Sequence, residues 1–187
     1  MLTLSILGFL YEGPLHAYDL RARISGLSGH VRPVSDGALY PALDRLEKAG
    51  LLTRHTEEGR GATPRRILTL TDAGRAELLR RLAEPKDVEI TDRNTFFVLL
   101  AFLGHLDDPA AQARVLRRRL DFLNTPASYF YADGEPVRAE AVEDRFRRGM
   151  LTIARATSKA DRTWLEQTIA ELEEEAAGAA VARGQGG

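Results

Sequence analysis

The sequence predicts a mainly α-helical chain with one small β-hairpin, divided into an N-terminal and a C-terminal part. Three observations carry this. Apolar residues recur at helical spacing over most of the 187 positions. Two short β-rich runs, "LLTRHT" and "RRILTL", flank a Gly/Pro-containing tip, "EEGRGATP". The segment "EPKDVEI" (84–90) interrupts the pattern and marks the expected boundary between the parts.

The elements follow in order. Residues 2–12 are apolar at Leu2, Leu4, Ile6, Leu7, Phe9 and Leu10, nearly all round the wheel. Such a helix needs cover on more than one side, and a second domain or another subunit is the natural cover. Gly13-Pro14 breaks it, and a second helix is predicted over 17–26, with Leu20, Ile24 and Leu27 on one face. A loop, "SGHVRPV", precedes "SDGALYPALDRLEKAG" (35–50). There Ser35 or Asp36 suits an N-cap, Leu39, Leu43 and Leu46 form the apolar face, and Gly50 ends the helix. The opposite face holds Gly37, Tyr40, Pro41, Asp44, Arg45 and Lys48. Pro41 is tolerable near a first turn, where N–H groups lack partners anyway. The hairpin comes next, and Thr71 caps a fourth helix, "TDAGRAELLRRLAE".

Beyond the boundary, Thr91 or Asp92 opens an apolar helix, and Asp108-Pro109 caps another. "NTPASYFYADGEP" reads as a loop or helix break. From Arg138 to Ala177 apolar or small residues recur at positions such as 142, 146, 150, 153, 160, 164, 169, 172 and 176. The tail, 178–187, is expected to be disordered. The predicted domains are thus 1–83 and 91–177.

Net charge is −1, so nothing global advertises a polyanionic partner. Residues 1–83 hold 12 Lys+Arg against 9 Asp+Glu, which permits a basic surface without proving one. Arginine outnumbers lysine 23 to three, so a single arginine says little. Without cysteine there is no disulfide or thiol chemistry. No apolar run approaches membrane-spanning length, and the opening segment lacks a basic n-region and a cleavage site, so a cytoplasmic protein is expected.

Chemistry is hard to find. His16, His30, His55 and His105 are scattered, and no metal-ligand spacing, nucleophile elbow or phosphate loop appears. No enzyme activity, metal or cofactor is implied. Three helices, a basic-tipped hairpin and an exposed helix face form the plan of a winged helix-turn-helix, whose third helix enters the major groove of DNA. The same plan serves protein docking, and the pattern leaves a dimeric interaction adaptor open as the alternative.

The residues "ILGFLYEGPLHAYDLRARI", "SDGALYPALDRLEKAGLL" and "RRILTLTDAGR" together resemble the PadR family of bacterial transcriptional regulators. The resemblance spans residues 4 to 80. Ala17 and Asp19 are mild departures, and "PRRILTL" stands where relatives carry an aromatic-rich strand. It implies a homodimeric repressor on palindromic double-stranded DNA, with an N-terminal winged helix-turn-helix and a C-terminal helical dimerisation domain. The DNA-facing residues it implies are Tyr18, Ser35, Gly37, Tyr40, Pro41, Arg45 and Lys48, with Arg60, Arg65 and Arg66 in the wing. Tyr40 and Pro41 can touch thymine methyls, and the Tyr40 hydroxyl can reach a phosphate or base edge. The competing reading lays Tyr40 over the second helix. A small hydrophobic or aromatic effector is a further implied partner. Nine of the 13 aromatic residues lie in the C-terminal half, and Phe97, Tyr129, Tyr131 and Trp164 are the candidate contacts. Plain core packing is the alternative for these four.

Overall fold

A computed structural model describes residues 1–27, 34–57, 65–125, 131–132 and 135–184. The chain divides into two compact units, Met1–Asp107 and Asp108–Gly187.

In the first unit, α1 (Leu2–Glu12) is the hub, with Leu4, Ile6, Leu7 and Leu10 buried. Gly13-Pro14 ends it, and the chain enters a two-residue strand, β1 (Leu15–His16), before α2 (Ala17–Leu27) and α3 (Asp36–Lys48). Strands β2 (Leu52–Glu57) and β3 (Arg65–Leu70) form the expected hairpin, and β1 adds to its far side. The antiparallel order is β1-β3-β2, with Leu15 opposite Leu68 and Leu52 opposite Leu70. Leu52, Leu68 and Leu70 share the buried face, as a two-residue period requires. The sequence reading missed β1 because two residues carry no periodic signal.

α4 (Asp72–Ala83) starts at Thr71, whose hydroxyl accepts from the Gly74 amide at 3.0 Å and donates to the Gly50 carbonyl at 2.7 Å. Gly74 abuts the Leu51 backbone so closely that a Cβ there would collide with the Leu51 carbonyl. Thr71 and Gly74 thereby lock α4 onto the chain leaving α3.

The boundary expected at 84–90 is not a break in packing. A short helix, α5 (Asp87–Thr91), occupies it, with Ile90 and Glu89 buried and the Glu89 carboxylate accepting from the Lys86 amide at 2.8 Å. α6 (Arg93–Leu103), capped by Asp92, continues in the same unit. Its Phe102 ring meets Phe9 edge-on at 5.0 Å and sits over Gly8, where an added Cβ would be 2.5 Å from the ring. The apolar α1 is therefore covered by its own chain, chiefly by α2, α4, α6 and the sheet, and requires no partner subunit for shelter. Periodicity showed that α1 needed cover but not which segment supplies it.

In the second unit, α7 (Pro109–Asn124) starts as predicted, with the Asp108 carboxylate accepting from the Ala111 amide at 3.0 Å and Pro109 in the first turn. A two-residue hairpin, β4 (Tyr131–Ala132) and β5 (Glu135–Pro136), follows. A 3-10 turn (Ala139–Ala141) leads to α8 (Arg145–Gly184). The long helix thus begins seven residues later than the predicted Arg138, because Asp144 caps it through the Phe146 and Arg147 amides. It also runs through most of the expected disordered tail: 178–184 is helical, the alanine-rich "AAGAAVAR" favouring continuation. Leu151, Leu165 and Ile169 are buried on the side that packs with α7.

Candidate DNA-binding surface

α3 positions most of the surface. Ser35 is its N-cap in extended conformation, and its hydroxyl makes no capping hydrogen bond. Asp36 is instead engaged by Arg21 of α2, at 2.6 Å. Pro41 is the sixth helical residue rather than part of the first turn. It deprives the Gly37 carbonyl of its usual donor, and burial of Leu39, Ala42, Leu43 and Leu46 holds the helix regardless. At the other end Gly50, at φ 70°, forms a Schellman motif: its amide donates to the Glu47 carbonyl and the Leu51 amide to the Leu46 carbonyl, both at 2.9 Å.

Burial of 39, 42, 43 and 46 turns Gly37, Tyr40, Pro41, Asp44, Arg45 and Lys48 outward, and all six are exposed. Tyr40 is 49% exposed. Tyr18, on α2, is 77% exposed. In the wing, Arg66 is exposed, Arg65 is placed as the first residue of β3 opposite Glu57, and Arg60 lies outside the described residues. His16 Nδ1 lies 3.4 Å from the Arg66 carbonyl and so braces the base of the wing.

Two guanidiniums hold α3 at its ends. Arg21 grips Asp36, and Arg54 of β2 reaches Asp44 at 2.6 Å and Glu47 at 3.3 Å. Sequence reasoning selected neither arginine, because each contact joins separate elements and has no spacing signature. The α3 face offers an apolar ring and a proline beside two exposed basic side chains, Arg45 and Lys48, a mixture suited to a groove edge flanked by phosphates.

The effector candidates are distributed. Phe97 lies on α6 in the first unit, exposed beneath the Arg93 guanidinium at 5.1 Å from the ring centroid. Tyr131, half-buried, and Trp164, exposed on α8, lie in the second unit, and Tyr129 lies outside the described residues. Among the described residues no group of three or more His, Asp or Glu could hold a metal ion, and no helix is long and apolar enough to cross a membrane. Among the described residues, two pKa shifts on α4 stand out. Hydrogen bonding to Arg80, reinforced by Arg81, lowers the Glu77 carboxyl to about 2, and Glu77 in turn raises Arg80.

Three helices, a three-stranded antiparallel sheet and an outward third helix define a winged helix-turn-helix. Residues 6–80 match the model of the Transcriptional regulator PadR-like family. The chain is 25% identical to the Negative transcriptional regulator PadR of Bacillus subtilis (strain 168), over 94% of its own length and 99% of that protein. It is similar to a crystal structure of Bacillus subtilis PadR in complex with operator DNA at 23% identity, with a TM-score of 0.44, covering 90% of this chain and 98% of that one. A structure of the same Bacillus protein in complex with p-coumaric acid gives 23% identity, a TM-score of 0.40, and coverage of 92% and 95%.

Proposed function

We propose that the protein is a sequence-specific DNA-binding repressor that acts as a homodimer on a palindromic operator. The observation that carries this reading is the outward face of α3, where Tyr40, Pro41, Arg45 and Lys48 are exposed on a helix clamped at both ends. Residues 1–83 supply the DNA-binding domain, with Tyr18 of α2, Ser35 and Gly37 at the start of α3, and Arg60, Arg65 and Arg66 reaching backbone phosphates. Repression follows the Bacillus relative, a negative regulator.

The dimer rests on α8. Phe146, Met150, Ile153 and Trp164 are all exposed, and with Thr157 and Ala160 they repeat at intervals of four and three residues. Such a seam is the signature of a helix that packs on another helix, and it lies apart from the Leu151, Leu165 and Ile169 side already covered by α7. Two-fold symmetry then matches a palindromic site with half-sites about one helical turn apart.

Gel-shift titration with the DNA upstream of the protein's own gene tests the reading. Binding to one duplex that weakens steeply with salt supports it. Absence of binding to any such fragment favours the adaptor instead. A small aromatic effector that releases the operator is proposed alongside, on the strength of Trp164, whose indole is 42% exposed.

A further inference from the structure

Asp44 stands in the middle of the outward α3 face, one helical turn beyond Tyr40 and Pro41 and one turn before Lys48. A bare carboxylate there would repel the phosphates that Arg45 and Lys48 are placed to meet. It is not bare. The Arg54 guanidinium reaches Asp44 Oδ1 at 2.6 Å through Nη2 and Glu47 Oε2 at 3.3 Å through Nε. Arg54 is only 18% exposed, while Asp44 is 52% exposed. The arginine is thus set into the unit and the carboxylate faces out. One oxygen of Asp44 is held, its charge is offset, and its second oxygen keeps its capacity to accept.

A pair whose carboxylate is half exposed adds modest stability, so anchoring alone is a weak reason for the arrangement. Base chemistry supplies a stronger one. A carboxylate only accepts. In the major groove guanine shows only acceptors, thymine an acceptor and a methyl, and adenine an acceptor beside its donor, whereas cytosine shows the N4 amino donor. We propose that Asp44 is a base-reading residue that accepts a hydrogen bond from a cytosine N4 amino group, and that Arg54 is its positioning residue. This rests on the reading of α3 as the groove helix.

The test is selection from a pool of randomised duplexes by the full-length protein, followed by gel-shift with single-base variants of the recovered site. The wild type is expected to select cytosine at one position in each half-site. Asp44→Ala should lose that preference by about tenfold and leave the other positions unchanged. Asp44→Asn should move it to adenine, because an amide matches the adenine donor–acceptor pair. Arg54→Met should blur the same position without altering the salt slope. If Arg54→Met does not fold, the Asp44→Asn switch decides alone. An unchanged consensus for Asp44→Ala and Asp44→Asn overturns the proposal while leaving the DNA-binding reading intact. A uniform loss of affinity with a shallower salt slope for Arg54→Met makes Arg54 a phosphate contact and overturns its positioning role. A wild type that recovers no consensus at all refutes the DNA-binding reading itself.

Discussion

The Thr71 hydroxyl donates to the Gly50 carbonyl across 2.7 Å and so ties the start of α4 to the turn that ends α3. The same oxygen accepts from the Gly74 amide at 3.0 Å, closing the first turn of α4. Thr71→Val keeps the shape and removes both bonds. It should lower unfolding stability by about 1–2 kcal/mol, read as a shift in the urea midpoint at constant slope. Gly74→Ala should cost more, because the added methyl would collide with the Leu51 carbonyl oxygen, which is backbone.

Tyr40→Ala should weaken operator binding by about 1–3 kcal/mol and relax sequence preference. The ring is half-exposed, so urea midpoints should stay close to wild type. Arg66→Ala should weaken binding to every duplex alike and reduce the slope of log affinity against log salt by about 0.9. A fall in stability for Tyr40→Ala with unaltered affinity would place the ring in a structural role.

Light scattering should report a mass near twice 20.7 kDa. Ile153→Asp places a charge on the exposed α8 seam and should yield a folded monomer with unchanged helical circular dichroism. A dimer that survives this change, together with Phe146→Asp, would locate the interface elsewhere.

Glu77 predicts a pH signature. Its carboxyl is held at about 2 in the folded chain, against 4.5 ordinarily, by hydrogen bonds from Arg80 and Arg81. A depressed folded value means the stabilisation is complete above 4.5 and fades as pH falls toward 2. Glu77→Gln should therefore be less stable than wild type by about 1 kcal/mol at neutral pH, the scale of two exposed helix pairs. The gap should narrow steadily below the ordinary carboxyl range. A gap independent of pH would attribute the loss to packing.

The single tryptophan gives a direct effector assay. Phenolic or polycyclic compounds that release the operator should quench Trp164 emission to saturation, and less effectively when DNA is bound, because coupling is reciprocal. Release with emission untouched would move the site away from α8.

What was legible in the sequence was local. The apolar stripe of α3, the Gly50 stop, the Thr71 cap, the hairpin and the Asp108-Pro109 start each depend on residues within a turn or two of one another. What was not legible depends on approach through space. Nothing near Arg54 in the chain says that it will meet Asp44 and Glu47, and nothing at 84–90 says that α5 and α6 will pack onward with the first unit. Pro41 shows the middle case: its exposure could be read from the stripe, but its place in the second turn required knowing that Ser35 is the cap. The start of α8 was read too early because apolar spacing at 138–144 outweighed the one capping carboxylate, Asp144.

Gly8 and Phe102 are sterically interlocked across α1 and α6. With a methyl at position 8 standing 2.5 Å from the ring, Gly8 cannot gain a side chain while Phe102 keeps its ring. The route to any side chain at position 8 passes through a smaller residue at 102, so Gly8→Ala should be strongly destabilising alone, and Phe102→Ala, which removes the three ring atoms in conflict, should cost less in the Gly8→Ala background than in the wild type. Descendants of this protein should carry the two positions as matched alternatives, large beside absent or small beside small.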